Sequence, residues 1–120
     1  MKIKNIYNEN KLYNKNEFAI IVENRERDYK IHAKKKDINY NLDQEFIGEE
    51  IKKPCTYCGG YFGVTIDGQN YNGLDRRNNG DYSKEECVSC CKTCNLSKGK
   101  MTQKEFIEHI EKIYNNVKNN

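Results

Sequence analysis

The stretches Cys55-Thr56-Tyr57-Cys58 and Cys91-Lys92-Thr93-Cys94-Asn95 decide how this chain folds. A Cys-x-x-Cys turn lets two thiolates converge on one ion, and two such turns complete a tetrahedral zinc site with no open position. The six cysteines all lie between residues 55 and 94, in a polar, glycine-rich part of the chain. We therefore expect a structural zinc ion, with redox pairs or simple buried thiols as the alternatives. The expected zinc ligands are Cys55, Cys58, Cys91 and Cys94.

A third pair with the same spacing, Cys87 and Cys90, is interleaved with the second turn and leaves the choice of ligands open. We prefer Cys91 and Cys94 because Asn95 follows Cys94 directly, and asparagine is a favoured residue at a helix N-cap. Zinc held there would lie under the start of a helix. Cys87 and Cys90 are then expected to be small buried residues.

The composition describes a polar and weakly basic chain. Its 120 residues are 32% charged, with a formal net charge of +3, a pI near 8.5 and a mean hydropathy of −1.05. This length fits one domain with a modest core. The charge permits nucleic-acid binding without requiring it. No signal peptide or membrane-length apolar run is visible, so we expect no membrane partner and a cytoplasmic protein with reduced thiols.

The spacing of apolar residues predicts a helix, a strand and a helix before the first cysteine turn. Residues 1–15 are polar, and we expect a loose N-terminal arm there. A helical stripe then runs to about Lys36, although residues 18–22 alone fit a strand as well. Alternation over residues 38–42 predicts a short strand, and Asp43 is expected to cap a second helix that ends at Lys53-Pro54. The stripe of the first helix consists of Phe18, Val22, Tyr29 and Ala33.

The central part reads as strand, hairpin, strand, loop and helix. Residues 61–66 and 71–75 are the expected strands, joined at Asp67-Gly68, which is a strong turn signal. Residues 82–89 are expected to be irregular, and a short helix should run from Asn95 to Gly99. Thr102 and Glu105 form a capping box that opens the last helix, whose apolar stripe is expected to be mostly core. We thus divide one α+β domain into residues 1–15, 16–53, 54–100 and 101–120.

The combined motifs resemble the HNH endonucleases (the ββα-metal or His-Me finger family), in their zinc-stabilised, phage-type branch with four cysteines. The resemblance covers residues 26 to 110. Its motifs are Pro54-Cys55-x-x-Cys58-Gly59, Asn72-Gly73-Leu74-Asp75-Arg76, Tyr82, and Cys90-Cys91-x-x-Cys94-Asn95-x-x-Lys98-Gly99, preceded by Tyr29-Lys30-x-x-Ala33-Lys34-Lys35. The fold it implies is a small ββα-metal finger with flanking helices.

The resemblance implies an enzyme that hydrolyses DNA phosphodiester bonds in a bacterium or a phage-infected host. Asp75 and Asn95 would then supply oxygen ligands to a catalytic Mg²⁺ or Mn²⁺ ion, while zinc is structural. The alternative is that Asp75 is only a turn-forming carboxylate and Asn95 only a helix cap. DNA would be the partner of a monomer or homodimer. The expected DNA contacts are Arg76, Arg77, Lys98, Lys100, Lys34 and Lys35, although the two lysines at the end of the first helix fit a solvated helix end equally well.

Two departures from the family pattern bear on catalysis. Arg76 replaces the histidine that usually follows the metal-binding carboxylate, and a guanidinium cannot act as a general base. It can bind the scissile phosphate instead. The resemblance implies a tyrosine in this role, as in restriction-type enzymes of the zinc-containing branch that carry the Asp-Arg variant. Tyr71 is the expected one, because residues four apart on a strand lie on one face and this would place it beside Asp75. The alternative is a packing tyrosine. His32 and His109 are the other proton acceptors, each expected to be solvated.

The second departure is Glu86, which stands where the family has an asparagine that braces the loop. A glutamate accepts hydrogen bonds but cannot donate them as an amide does. A zinc-dependent nucleic-acid-binding module that has lost catalysis is therefore the alternative function. A thiol redox protein would need a βαβ order that this chain lacks.

Overall fold

The computed structural model describes residues 8–61, 64–66 and 69–120, without the side chains of residues 8–16, 64–66 and 69. Over these residues the chain has the α+β fold expected from the sequence. The helices are α1 Asn8–Lys36, α2 Gln44–Ile51, α3 Lys92–Lys98 and α4 Gln103–Lys118. The strands are β1 Val64–Ile66, β2 Gln69–Tyr71, β3 Gly73–Arg76 and β4 Cys87–Cys90.

Helix α1 begins at Asn8, so residues 8–15 of the expected arm are helical and that part of the prediction was wrong. Residues 18–22 are helical too, which excludes the strand alternative. The helix ends where Asp37 adopts a left-handed conformation with φ of 57°. Ile38 N–H then donates to Ala33 O at 2.8 Å and Asp37 N–H to Lys34 O at 3.3 Å. These two bonds form a Schellman motif that satisfies the last carbonyl groups.

The strand expected over residues 38–42 is reduced to one parallel bridge between Tyr40 and Tyr82. Its backbone bonds run from Asn41 N–H to Tyr82 O and from Tyr82 N–H to Asn39 O. The alternating pattern is present, but the partner segment pairs at a single position. The cap of α2 is confirmed, since Asp43 Oδ1 accepts from Phe46 N–H at 2.8 Å.

The sheet region differs from the prediction because Asn72 interrupts the second expected strand. β1 pairs with β2, and β3 pairs with β4, in two separate antiparallel ladders. The Asn72 side chain is fully buried, and its amide donates to Lys53 O and Gly60 O, each at 3.1 Å. The segment expected to be irregular contributes β4, from Cys87 to Cys90. The Asp67-Gly68 turn lies outside the described residues.

The main core lies between α1, α2 and the β3–β4 ladder. Its buried members are Val22, Ala33, Leu42, Ile47, Ile51, Tyr71, Leu74, Tyr82 and Cys87. A second, smaller cluster consists of the buried residues Cys55, Cys90 and Cys91. The apolar stripe of α1 thus packs as predicted.

Helix α4 begins with the predicted capping box of Thr102 and Glu105. The expectation that its stripe is mostly core was wrong: Phe106 is buried, whereas the apolar residues further along stay exposed. These are Ile107, Ile110, Ile113, Tyr114 and Val117. Over the described residues, no helix combines the length and the apolar character needed to cross a membrane.

Replacement of Ile51 by alanine should strongly destabilise the fold. Ile51 is completely buried, whereas Ile20 on α1 is 52% exposed. A buried Ile→Ala change typically costs about 2–5 kcal/mol, and a surface change about 0.5 kcal/mol or less. Urea denaturation of Ile51→Ala and the control Ile20→Ala measures both. Equal midpoints for the two variants would contradict the assignment of the core.

Candidate functional site

The structure brings the four predicted zinc ligands together. The sulfur atoms of Cys55, Cys58, Cys91 and Cys94 all lie within 4.8 Å of one another. Cys58 Sγ and Cys91 Sγ are 3.7 Å apart, whereas a disulfide would need about 2.05 Å. Zn–S bonds of about 2.3 Å in a tetrahedron place sulfur atoms about 3.8 Å apart. The donor set and its spacing therefore fit a closed thiolate zinc site.

Backbone groups around the cluster favour thiolates. Gly60 N–H donates to Cys58 Sγ at 3.4 Å and Cys94 N–H to Cys91 Sγ at 3.3 Å. Burial opposes ionisation of Cys55, but backbone hydrogen bonds from Cys58, Cys91 and Tyr57 outweigh it and lower the pKa of this thiol to about 6. Burial raises the pKa of Cys91 and Cys94 instead, so Cys55 is the ligand whose surroundings favour the thiolate, the form that binds metal.

The N-cap of α3 is Cys91 and not Asn95, so this detail of the prediction was wrong. The cysteine Sγ takes the role that an asparagine oxygen was expected to fill, because the metal-ligand turn and the first helical turn coincide. Asn95 lies one turn into the helix, with its N–H bonded to Cys91 O at 2.9 Å. The helix ends at Gly99, as predicted, with φ of 55°.

Cys87 and Cys90 stay outside the four-sulfur cluster. Both are buried, Cys87 in the main core and Cys90 with its thiol donating to Cys91 O at 3.4 Å. Burial raises the pKa of Cys87 to about 11 and also raises that of Cys90. Their placement agrees with the prediction that they are buried thiols.

Loss of one cluster thiolate should remove the metal. We expect Cys94→Ser to lose bound zinc and to unfold around the two turns, because a hydroxyl cannot replace the thiolate; structural zinc contributes on the order of 10 kcal/mol in small domains. The control is Cys87→Ser, which should keep zinc. Elemental analysis of the purified proteins measures the metal content. Zinc retained in Cys94→Ser and lost from Cys87→Ser would show that the ligand set is different.

An open cavity of about 300 Å³ is lined by residues of α1, β3 and α3 and of the loops that follow β3 and α3. It brings together three of the four predicted catalytic residues: Asp75 and Arg76 from β3, and Asn95 from α3. The remaining lining comes from α1, from the loop after β3 and from the ends of neighbouring elements. These residues are Tyr29, His32, Leu74, Asn79, Tyr82 and Gly99.

Asp75 is 6% exposed and each of its carboxylate oxygens has a fixed partner. Lys98 Nζ lies 3.3 Å from Oδ1, and the Tyr57 hydroxyl donates to Oδ2 at 2.7 Å. Burial and the neighbouring carboxylate raise the pKa of Tyr57, which stays a protonated donor. A carboxylate oxygen accepts more than one bond, so both oxygens keep the capacity to bind a cation.

Lys98 is buried, with none of its side chain exposed, so the prediction that it contacts DNA was wrong. Its ammonium group also donates to Arg76 O at 3.4 Å. This burial could not be predicted from the sequence, because lysine is rarely fully buried without a partner and the partner, Asp75, lies on another element. The role of Lys98 is to hold Asp75 and to neutralise its charge inside the protein.

Asn95 and Asp75 line the same cavity, and the side chain of each carries a hard oxygen atom. Asn95 Nδ2 donates to Leu74 O at 3.4 Å, which turns the amide nitrogen toward β3 and the amide oxygen away from it. Carboxylate and amide oxygens are ligands that Mg²⁺ accepts, together with water and substrate phosphate. The residues therefore fit a divalent cation.

Arg76 is held at the edge of the cavity. Its Nη1 donates to Gly80 O at 2.7 Å, and its guanidinium lies 5.1 Å from the centre of the Tyr82 ring. Stacking on an aromatic ring and a single backbone bond leave other guanidinium donors for an anion.

Glu86 braces the loop that follows β3. Its Oε2 accepts from Asn78 N–H and from Gly80 N–H, each at 2.7 Å. Glu86 therefore braces this loop by accepting hydrogen bonds, at the position where HNH endonucleases usually have an asparagine. Arg77 donates to Glu85 O within the same loop and does not line the cavity. Arg77 as a DNA contact stays a prediction.

Tyr71, the fourth predicted catalytic residue, is not among the residues that line the cavity. It is buried in the main core, 4.9 Å from the Phe18 ring. The argument that it shares a face with Asp75 required one continuous strand, and the chain leaves the ladder at Asn72 between them. The alternative, a packing tyrosine, describes its position.

His32 is the residue that sequence reasoning undervalued. It was expected to be solvated, yet it is half-buried and lines the cavity with Asp75 and Arg76. The signal was its position on α1, directly before the buried Ala33 and one turn after Tyr29. Lys34 and Lys35 are exposed in the last turn of this helix, and Lys100 is exposed after α3.

Removal of the Lys98 ammonium should destabilise the protein far more than removal of an exposed lysine. Lys98→Met leaves the buried Asp75 carboxylate unpaired, and loss of one partner of a buried pair costs about 3–5 kcal/mol. Lys100→Met is the matched control. Urea denaturation measures both, and the double variant Lys98→Met/Asp75→Asn should recover part of the loss. A Lys98→Met variant as stable as the control would show that the pair contributes nothing.

Comparisons with known proteins place this fold. No family model matches the sequence. The chain is 37% identical over 71 residues to the uncharacterized protein R423 of Acanthamoeba polyphaga mimivirus, a match that covers 58% of this chain and 13% of that protein. In structure, the chain resembles the rare-cutting HNH restriction endonuclease PacI with a TM-score of 0.55, 18% identity and 80% of each chain covered. The fold is therefore HNH-like.

Proposed function

We propose that the chain is a metal-dependent DNA endonuclease that hydrolyses phosphodiester bonds, by nicking or by cutting both strands. The observation that carries the proposal is the meeting of Asp75, Arg76 and Asn95 in one open cavity on an HNH-like fold. The structural neighbour is a restriction endonuclease, which supports DNA as the substrate. A DNA strand lying over the cavity would place a phosphate against these three side chains.

The proposed cofactors are a structural zinc ion in the four-cysteine cluster and a catalytic Mg²⁺ or Mn²⁺ ion in the cavity. Asp75 and Asn95 would hold the catalytic ion, which supplies charge stabilisation for the phosphate and the leaving oxygen. Lys98 and Tyr57 fix the Asp75 carboxylate from behind, so its orientation is set before the substrate arrives. Such outer partners position metal ligands in many sites.

Arg76 is proposed to bind the scissile phosphate. Its guanidinium is permanently charged and is anchored by Gly80 O and the Tyr82 ring. A fixed cation aimed at developing negative charge stabilises the transition state without reorganisation. The exposed lysines Lys34, Lys35 and Lys100 lie on the elements that bound the cavity and are proposed to contact neighbouring phosphates, which would make binding salt-dependent.

The alternative is a nucleic-acid-binding module without catalysis, and the same experiment separates the two. A cleaving enzyme converts supercoiled plasmid to nicked or linear DNA in a reaction that EDTA stops. A binding module retards the plasmid and leaves it intact. We propose a monomer or homodimer, since cleavage of both strands calls for two sites.

A change in either oxygen ligand should strongly slow cleavage. Asn95→Ala would remove an oxygen ligand of the divalent cation and Asp75→Asn would remove the negative charge of the other ligand, and we expect nicking to fall by at least about 10²-fold. Asp75→Asn is preferred to alanine because an amide keeps hydrogen bonds to Tyr57 and Lys98. Asn95→Ala should retain zinc and a native circular dichroism spectrum, whereas Asp75→Asn should be less stable because it leaves the buried Lys98 charge without its carboxylate. Both variants are therefore assayed at a temperature at which circular dichroism shows them to be folded. Nicking at the wild-type rate by Asp75→Asn would rule out this mechanism.

A further inference from the structure

The cavity holds the guanidinium group of Arg76 and the two proposed metal ligands, Asp75 and Asn95. Hydrolysis also needs a group that accepts a proton. A water molecule that attacks phosphorus gives up a proton, and a positioned base typically accelerates that step by about 10²–10⁴-fold. Arg76 cannot take the proton because its guanidinium stays charged. Tyr71 lies in the core against Phe18. Neither residue can fill this role.

Helix α1 contributes a histidine, His32, to the cavity in which a proton acceptor is needed. His32 lines the cavity together with Asp75, Arg76 and Asn95. Its imidazole stands edge-on to the Tyr82 ring, with the two ring centres 6.1 Å apart. Arg76 lies 5.1 Å from the centre of the same ring. The histidine and the arginine are therefore arranged around one aromatic side chain.

The ring of Tyr82 is itself firmly held. Tyr82 is buried, stacks on Tyr29 with ring centres 5.5 Å apart, and bonds through its backbone to Asn39 and Asn41. Because Tyr29 and His32 lie one helical turn apart on α1, the stack also fixes the rotation of α1 against the cavity. His32 is thus placed by packed elements and not by a loose loop.

We propose that His32 accepts the proton of the attacking water during phosphodiester hydrolysis. The inference rests on the proposed nuclease function. The bond from the water oxygen to phosphorus forms, the bond from phosphorus to the sugar oxygen breaks, and the water proton passes to the imidazole. The leaving oxygen takes its proton from solvent water.

The surroundings of His32 favour the neutral imidazole that such a base requires. Burial, followed by the positive charges of Arg76, Lys36 and Lys35, lowers the pKa of His32 below its ordinary value. At neutral pH the side chain is therefore ready to accept a proton. The titratable and charged groups around it are Arg76 and Asp75 on β3, Lys35, Lys36 and Tyr29 on α1, and Tyr82.

The test compares His32→Ala and His32→Asn with His109→Ala in the full chain loaded with zinc. His109 is an exposed histidine on α4 and serves as the matched control. We expect both His32 variants to nick plasmid about 10²–10⁴-fold more slowly at saturating Mg²⁺, with zinc content and DNA affinity unchanged. Free imidazole should restore part of the activity of His32→Ala, and His109→Ala should behave as the wild type.

The outcomes separate this inference from the proposed function. Full activity in His32→Asn, or a loss in His32→Ala that imidazole does not restore, overturns the role of His32 and leaves the nuclease proposal standing. A loss confined to DNA affinity makes His32 a binding residue and also overturns the inference. A wild-type protein that cuts no DNA with Mg²⁺ or Mn²⁺ overturns both proposals.

Discussion

The convergence of four cysteine sulfurs is the constraint on which the site depends. The four sulfur atoms connect the turn at residues 55–58 to the start of α3, directly after β4. The small core cluster around them contains few other apolar side chains. Helix α3 buries Lys98 and offers no apolar face to the core. Its position relative to β3 is therefore set by the cysteines at its start and by the Lys98–Asp75 pair at its end. The distance between Asp75 and Asn95 follows from these two attachments.

The buried ion pair also decides how charge is distributed in the cavity. Lys98 neutralises Asp75 before any cation binds, and Arg76 then adds a positive charge at the edge. In the proposed function, a cavity of this kind would attract an anionic backbone by itself. It would bind a divalent cation less strongly, because Lys98 would repel the ion. Cation and phosphate would then bind together, each improving the site for the other.

Local chemistry could be predicted from the sequence, whereas long-range placement could not. The Cys-x-x-Cys turns and the Asp43 and Thr102 caps follow from residue types and short spacings, and all are present. The Asp75–Arg76–Asn95 group was implied by the family resemblance, and the three residues do line one cavity. The break at Asn72 was missed because its cause is a buried amide bonded to Lys53 and Gly60, which are distant in sequence. The burial of Lys98 was missed for a related reason, because its partner Asp75 lies on another element. The exposed stripe of α4 shows that a periodic pattern indicates a helix without indicating what covers it.

In the proposed nuclease, Arg76 stands where HNH endonucleases usually have a histidine after the metal-binding carboxylate, and two tasks would then be divided between two elements. A histidine at that position can accept a proton but is charged only when it is protonated. Arg76 is always charged and cannot act as a base. Arg76 on β3 and His32 on α1 both lie against the Tyr82 ring, which would give the cavity both properties. Burial, followed by the charge of Arg76, lowers the pKa of His32 and favours the neutral imidazole. The arginine that cannot accept a proton therefore favours the protonation state in which His32 can.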